Sequence, residues 1–320
     1  MGFLVNGQWY DQWYDTKTTK GDFVRKDSQF RNLITPDGQP GPSGVGGFPA
    51  VSGRYHLYVS YACPWAHRTL IFRVLKKLTD HISISTVHPH MLDRGWEFIP
   101  THPLLKDDVN YCRLLYEIYL LANPFYTGQV TVPVLWDKKQ HTIVSNESSE
   151  IIRMFNSAFN ELTGDKTDFY PNDLRSDIDN INQLVYDNIN NGVYKCGFAT
   201  TQSAYEKAFD PLFSALDTIE KRLASQPYLV RDILTEADWR LFTTLIRFDM
   251  VYYSHFKCNL RRIIDYPHLW NYVRRLYNHP GIAQTTNFEH IKQHYYFSHA
   301  TINPTRIIPK GPLLDFRLPS

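Results

Sequence analysis

The stretch YHLYVSYACPWAHRTLI, residues 55–71, decides the fold of this 320-residue chain. Its first part, residues 55–61, alternates and is rich in β-forming side chains, which predicts a strand. Residues 63–78 follow with Pro64 where a first helical turn accepts proline, and with apolar side chains at helical spacing, which predicts a helix. A cysteine, Cys63, therefore stands at the junction of a strand and a helix.

The segments after residue 78 continue the alternation of strands and helices. We expect a strand at 82–87, a helix at 112–122, strands at 130–137 and 141–145, and a helix at 147–159. The order strand, helix, strand, helix, strand, strand, helix predicts an α/β domain of the thioredoxin-like kind over residues 53–158.

The second half of the chain has a helical pattern. We expect helices at 173–191, 201–225, 235–252 and 266–279, within an all-α domain over residues 172–294. Thr235 and Asp238 fit a capping box at the start of the third of these, a folding signal rather than a catalytic one. Residues 1–52, rich in turn-forming residues, are expected to be an irregular extension, and residues 295–320, with four prolines, an extended tail.

Composition excludes several classes of protein. The formal net charge is only +2 and the hydrophobic content is 43%, so neither a nucleic-acid partner nor an anionic membrane surface is indicated. No apolar run of about 18 residues and no signal-peptide pattern is found. The four cysteines are widely spaced, without a CxxC pair, which favours reduced thiols in the cytoplasm over a disulfide framework.

Cys63 is the candidate nucleophile. A thiol just before a helix meets the positive end of the helix dipole and unpaired backbone N–H groups, which stabilise thiolate and lower the pKa. The alternative is an inert buried cysteine, against which the sequence Cys-Pro-Trp after a strand in this fold order argues. The third position after it is Ala66, where a dithiol enzyme has its second cysteine. A small external thiol must then resolve a mixed disulfide, which indicates glutathione.

Two further segments fit a glutathione site. Val132-Pro133 precedes a strand, where this fold commonly has a cis proline whose preceding residue offers its backbone to a peptide. Glu147 and Ser148 begin a helix, where N–H groups and a hydroxyl bind carboxylate and a glutamate receives an ammonium group. The alternatives are an ordinary proline at a strand start and a plain helix cap.

Aromatic and histidine side chains give weaker signals. Trp96 lies in a long loop, where a tryptophan is more often a satellite core residue than a ligand contact. The tyrosines of the helical half are usually core or interface residues. His88 and His90 have no further ligands at a recognisable spacing, so we predict no metal site.

The motifs together resemble the Xi class of glutathione transferases, the glutathionyl-hydroquinone reductases. The matching stretches run from about residue 2 to residue 312 and include CPWAHR (63–68), RGWEF (94–98), NESSEI (146–151), NNGVYKCGFA (190–199), DMVYYSHFKCN (249–259) and HYYFSHATINP (294–304).

The resemblance implies a thioredoxin-like domain followed by a helical glutathione-transferase domain, with glutathione as cosubstrate, and a homodimer. It implies Cys63 as the nucleophile. The implied glutathione contacts are Trp96, Gln129, Val132, Glu147 and Ser148. The implied catalytic tyrosines around the quinol are Tyr194, Tyr252 and Tyr295, although Tyr296 is hard to tell from its neighbour.

Two positions depart from the class pattern: Gln129 stands where many members have a basic residue, and Met250 where a proline often stands. The implied reaction is the reduction of glutathionyl-hydroquinones through a mixed disulfide. Two alternatives remain, an Omega-like thioltransferase or dehydroascorbate reductase, and a non-enzymatic interaction module that would tolerate any residue at position 63.

Overall fold

The computed structural model describes residues 2–12 and 14–318, and these divide into two compact units. The first unit contains residues 2–12 and 26–168, and the second contains residues 14–25 and 169–318. Within the described residues, no helix combines the length and the apolar character needed to cross a membrane.

The first unit is built on a four-stranded mixed sheet. Its strands are β3 (Tyr55–Val59), β4 (Ser83–Thr86), β6 (Val134–Asp137) and β7 (Thr142–Ser145), in the spatial order β4-β3-β6-β7. β3 is parallel to β4 and antiparallel to β6. Every residue of β3 and β6 is buried, as expected for central strands that are covered on both faces.

Helices flank this sheet in the predicted order. They are α1 (Pro64–Leu75), α2 (Leu115–Ala122), α3 (Ser148–Ser157) and the short α4 (Asn160–Thr163). The predicted alternation of strands and helices, and with it the thioredoxin-like architecture, is confirmed. The elements are one to four residues shorter than predicted at several ends.

The extension is less irregular than predicted. β1 (Phe3–Val5) and β2 (Gln8–Tyr10) form an antiparallel hairpin, and β1 also pairs with β5 (Gly128–Gln129). Gly7 adopts a positive φ of 79° in the turn of this hairpin. The prediction of irregular structure was therefore wrong for these residues, whose pairing partner is more than 100 residues away along the chain.

The second unit is helical: the predicted helices are confirmed, and it contains further helices that were not predicted. They are α5 (Arg175–Val185), α6 (Gly192–Phe198), α7 (Gln202–Leu223), α8 (Glu236–Arg247), α9 (Pro267–Tyr277) and α10 (Phe288–Ser298). π-helical turns continue α5 over Tyr186–Asn190 and α8 over Phe248–Tyr252. α6 and α10 were not predicted, and α10 shows that the first four residues of the expected tail, 295–298, are helical.

The capping box at the start of α8 is present. The Thr235 N–H donates to the Asp238 carboxylate at 2.8 Å, and the same carboxylate accepts from the Leu229 N–H and the Tyr272 hydroxyl. Burial raises the pKa of Asp238 to about 6, although all these hydrogen bonds oppose the shift. A carboxylate that binds three chain segments in this way stabilises the second unit rather than serving catalysis.

Candidate active site

The sheet topology brings the ends of three strands together on one side of the first unit. Because β3 and β6 are antiparallel, with Tyr58 opposite Val134, the end of β3 lies beside the start of β6. β7 is antiparallel to β6, with Ser145 opposite Leu135, so β7 ends at the same edge. The residues just after β3, just before β6 and just after β7 therefore meet there.

Cys63 is the residue after the β3 turn and the N-cap of α1. Its backbone is extended, with φ −76° and ψ 122°, and Pro64 opens the helix. The Cys63 side chain is half-buried, and its Sγ lies 3.5 Å from the carbonyl oxygen of Val132. The predicted position of the thiol at a helix N-terminus is confirmed.

Two of the other thiols, those of Cys112 and Cys258, have a raised pKa. Burial raises the pKa of Cys112 to about 12, helped by the charges of Asp107 and Glu117. Burial, together with the neighbouring thiol of Cys196, also raises the pKa of Cys258 well above its ordinary value. Both are protonated at neutral pH, and the thiolate is the reactive form of cysteine.

Val132 lies beside the thiol, and the cis proline that the sequence predicted follows it. The Val132–Pro133 peptide bond is cis, and the Val132 side chain is buried. Within the described residues, no acceptor is hydrogen-bonded to the Val132 N–H. This N–H and the adjacent carbonyl oxygen are a backbone donor and acceptor next to Sγ, an arrangement that suits an extended peptide.

Glu147 and Ser148 occupy the start of α3. Glu147 is the N-cap, and its Oε1 accepts from the Ser149 N–H at 3.0 Å and from the Ser149 hydroxyl at 2.8 Å. Burial alone would raise the pKa of Glu147, but the Ser149 hydrogen bonds and the charges of Arg68 and Arg31 outweigh it and hold the pKa below its usual value. Glu147 is thus a helix cap and an ionised carboxylate at once.

Arg68 is a site residue that the sequence analysis did not assign. Its side chain is buried, its guanidinium lies 4.5 Å from the centroid of the Trp65 ring, and its Nη1 lies 3.4 Å from the Ser148 hydroxyl. It therefore brings a positive charge to the start of α3. An arginine one turn into the helix that begins at Cys63 was the available signal, since buried arginines generally have a charged or ligand partner.

Trp96 and Gln129, the other two implied glutathione contacts, also lie in the first unit. Trp96 is 6% exposed and its carbonyl accepts from the Leu115 N–H at 2.9 Å, which agrees with the satellite-core alternative. Gln129 ends β5, and its side-chain Oε1 is buried without a hydrogen-bond partner among the described residues. Such an orphaned acceptor is costly, which makes it a candidate ligand contact.

The structure gathers the three tyrosines that the resemblance implied as catalytic, all of them in the second unit, into one hydrogen-bonded group. The Tyr295 hydroxyl lies 2.6 Å from that of Tyr194 and 2.9 Å from that of Tyr252. Tyr252 and Tyr295 are fully buried and Tyr194 is half-buried. We call these three residues the phenol chain.

The neighbouring Tyr296 is not part of the phenol chain. Its hydroxyl is bonded to the Ser254 hydroxyl and to the Met250 carbonyl at 3.1 Å. This distinguishes the two adjacent tyrosines, which the sequence alone could not do.

Burial, together with the nearby Tyr194 and Tyr252 hydroxyls, raises the pKa of Tyr295 well above its usual value, so it remains a neutral O–H donor. The guanidinium of Arg25 lies 5.2 Å from the centroid of the Tyr194 ring, and its Nε donates to the side-chain oxygen of Asn191.

Two buried histidines lie close to this group. His255 Nε2 is 3.2 Å from His299 Nδ1, and the His299 ring is 5.4 Å from that of Tyr295. Burial lowers the pKa of His255 to about 4 and that of His299 well below its usual value. The two imidazoles are therefore neutral at neutral pH. Across the described ranges, no group of three or more acidic, histidine or cysteine side chains is placed to hold a metal ion.

Comparison with known families gives two matches in this chain. Residues 62–158 match the model of the glutathione S-transferase N-terminal domain, and residues 202–275 match that of the glutathione S-transferase C-terminal domain.

Similar proteins cover nearly the whole chain. It is 56% identical over 320 residues to the glutathionyl-hydroquinone reductase YqjG of Escherichia coli, covering 100% of this chain and 98% of that protein. It is 52% identical over 312 residues to the glutathionyl-hydroquinone reductase PcpF of Sphingobium chlorophenolicum, covering 98% and 96%. A glutathione S-transferase omega-like 2 of Schizosaccharomyces pombe is 48% identical over 307 residues, covering 93% and 96%.

Solved structures give the same picture. The glutathione-bound structure of Escherichia coli YqjG superposes with a TM-score of 0.92 at 52% identity, covering 99% of this chain and 98% of that one. The glutathione S-transferase Xi of Phanerochaete chrysosporium superposes with a TM-score of 0.87 at 53% identity, covering 93% and 99%.

Proposed function

This chain belongs to the glutathione S-transferase family, and we propose that it reduces glutathionyl-hydroquinones to hydroquinones with glutathione as cosubstrate. The observation that carries the proposal is the thiol of Cys63 at the N-terminus of α1, beside the Val132 carbonyl and with Ala66 in place of a second cysteine. Such a thiol forms a mixed disulfide that only an external thiol can resolve. The whole-length similarity to two glutathionyl-hydroquinone reductases supports this choice of substrate.

Glutathione would bind through groups that the first unit brings to one edge. The Val132 N–H and carbonyl would pair with the cysteinyl backbone of the tripeptide. Its γ-glutamyl end carries one carboxylate and one ammonium group, which suit Ser148 and the ionised Glu147 respectively. Trp96 and Gln129 complete the proposed contacts, and Gln129 would contribute a neutral amide where a basic residue is common in the class.

The proposed reaction has two steps, both at sulfur. First, the Cys63 thiolate attacks the glutathione sulfur of the substrate, so an S–S bond forms and the bond between sulfur and the ring carbon breaks. The electron pair of the broken bond goes to the ring carbon, which must gain a proton to become hydroquinone. Second, the thiolate of a free glutathione attacks the bound glutathionyl sulfur, which releases oxidised glutathione and regenerates the Cys63 thiolate.

We assign the proton on carbon to the phenol chain. A carbon leaving group needs a proton donor or the keto tautomer of the ring, whereas a thiolate leaves without one. Tyr194, Tyr252 and Tyr295 supply neutral O–H groups and aromatic faces, and their hydrogen bonds to one another allow a proton lost by one to be replaced by the next.

An Omega-like thioltransferase or dehydroascorbate reductase is the second candidate. The similarity to the omega-like protein of Schizosaccharomyces pombe favours it, and it would use Cys63 in the same way. It would not need the phenol chain. A non-enzymatic interaction module is disfavoured because it would not require the intact Cys63-Pro64-Trp65 sequence.

We also infer a cytoplasmic homodimer. The location is supported by four widely spaced cysteines, all of which are reduced thiols in the structure. The dimer rests on resemblance to the Xi class, and size-exclusion chromatography with light scattering tests it.

The function is tested with glutathionyl-menadione that is first reduced to its hydroquinone and kept reduced in every assay, with and without added glutathione. With glutathione present, we expect menadiol and oxidised glutathione to appear in equal amounts over many turnovers; without it, we expect at most one menadiol for each Cys63 thiol. If the protein forms no menadiol but rapidly turns over a glutathione mixed disulfide or dehydroascorbate, the Omega-like function is favoured instead.

A further inference from the structure

Part of the N-terminal extension lies along the edge of the sheet next to the glutathione site. The Asn32 N–H donates to the Val144 carbonyl at 3.0 Å, and the Asn146 N–H donates to the Phe30 carbonyl at 3.2 Å. The Asn146 side-chain oxygen also accepts from the Phe30 N–H at 3.2 Å. Residues 30–32 are therefore fixed against the end of β7 and against Asn146, the residue that precedes Glu147.

This pairing places Ser28 against the Glu147 carboxylate. The Ser28 Oγ lies 3.2 Å from Glu147 Oε2 and also 3.2 Å from the Asn146 carbonyl oxygen. A hydroxyl has one hydrogen to donate, and a bond to an ionised acceptor is the stronger of the two choices. Since Ser149 occupies Oε1, Ser28 engages the second oxygen and fixes the plane of the carboxylate.

The same segment adds positive charge near the site. Arg31 pairs with Glu150, with Nε 2.8 Å from Oε2, and its charge helps to lower the pKa of Glu147 after the larger contributions of burial, the Ser149 hydrogen bonds and Arg68. The extension therefore both orients the Glu147 carboxylate and helps to keep it ionised.

We propose that Ser28 is a positioning residue for glutathione binding, acting through Glu147. The inference rests on the proposed role of Glu147 as the partner of the γ-glutamyl ammonium group. Ser28 belongs to a segment that precedes the thioredoxin-like domain. The N-terminal extension therefore contributes a side chain to the glutathione site. Loss of the hydroxyl would let the carboxylate rotate and become more basic, which weakens binding of the ammonium group without altering the thiol chemistry at Cys63.

The experiment compares Ser28→Ala, Ser28→Thr and the control Ser52→Ala, each also prepared in a Cys63→Ala background. Ser52 belongs to the same extension but its hydroxyl is bonded to His81. Calorimetry with glutathione on the Cys63→Ala forms gives a dissociation constant that does not depend on turnover. We expect Ser28→Ala to raise this dissociation constant about three- to tenfold, as is usual for the loss of one hydrogen bond. The dissociation constants of Ser28→Thr and of the control Ser52→Ala should stay close to that of the parent.

Two further readouts separate positioning from a general structural effect. KM for glutathione should rise in Ser28→Ala while kcat stays within about twofold of the parent. Weakening of glutathione binding in acid should begin at a higher pH in Ser28→Ala than in the parent, since a carboxylate that loses a hydrogen-bond donor becomes more basic.

An unchanged dissociation constant, or an equal change in Ser52→Ala, would overturn the proposal, and so would a loss confined to kcat. If the parent binds glutathione but does not reduce glutathionyl-menadione, the proposed function fails. The binding data would still decide the role of Ser28.

Discussion

Replacing Tyr295 by phenylalanine keeps the aromatic ring and removes the central hydroxyl of the phenol chain. We expect kcat on glutathionyl-menadione to fall about 10²- to 10⁴-fold, the usual contribution of a positioned acid. Turnover of the mixed disulfide between glutathione and a simple thiol should change less than about twofold. The difference arises because a thiolate leaves unprotonated, whereas the ring carbon must receive a proton.

The geometry sets the size of the accompanying loss of stability. The Tyr295 hydroxyl makes two hydrogen bonds, of 2.6 Å and 2.9 Å, to groups that are buried or half-buried. At about 0.5–1.5 kcal/mol net for each, the variant should lose about 1–3 kcal/mol of unfolding free energy. The fold therefore survives, and the kinetic loss can be measured on a native protein.

The adjacent tyrosine provides a matched control. Tyr296→Phe removes a hydroxyl bonded to Ser254 and the Met250 carbonyl, outside the phenol chain, and should leave both activities near the parent value. Steady-state rates on the two substrates, with thermal unfolding followed by circular dichroism, complete the assay. A proportional loss of both activities in Tyr295→Phe, or full activity on glutathionyl-menadione, would refute the assignment of the phenol chain.

Three other changes test separate parts of the structure. Glu147→Gln keeps an acceptor for the helix cap but removes the charge, so KM for glutathione should rise about 10- to 100-fold with little change in kcat; an unchanged KM contradicts the γ-glutamyl assignment. Asp238→Ala leaves two N–H groups and the Tyr272 hydroxyl unpaired, and urea unfolding should show a loss of about 2–4 kcal/mol; a loss below 1 kcal/mol refutes this role. The pKa of His255 is about 4 in the folded state and near 6.5 in the unfolded state. Protonation of this residue should therefore lower the free energy of unfolding by about 3 kcal/mol as the pH drops from 6.5 to 4. His255→Gln should reduce that slope in urea titrations at pH 7.5 and 5, and an identical slope contradicts it.

The elements built on local periodicity were predictable from the sequence. The β3–α1 junction at Cys63 follows from strand alternation, a proline at the first helical position and a helical apolar spacing, all within 20 residues. The capping box at Thr235 is equally local. Such signals do not depend on distant partners, and the structure agrees with them.

Elements that depend on distant partners were missed. The hairpin of β1 and β2 has strands of three residues each and is completed by pairing with β5, which no local pattern reveals. Helix α10 precedes a proline-rich segment, and its apolar side chains are partly replaced by histidine and tyrosine, so its periodicity is weak.

The site shows the same division. Cys63 and Glu147 were identified by residue type and position, and the three tyrosines by the resemblance to the Xi class, but the distances that join the three hydroxyls depend on folding. The buried Arg68 and the contact of Ser28 with Glu147 were not predicted, because side-chain direction and long-range pairing decide them. The identity of Tyr295 as the central phenol likewise required the structure.

The most direct test of the account is the covalent state of Cys63 during turnover. The protein is mixed with glutathionyl-menadione at limiting glutathione, quenched in acid and analysed by intact and peptide mass spectrometry. The account predicts one glutathionyl group, on Cys63, that a reductant removes and that is absent in Cys63→Ala. A disulfide between Cys63 and Cys112, Cys196 or Cys258, or undiminished menadiol production by Cys63→Ala, would contradict it.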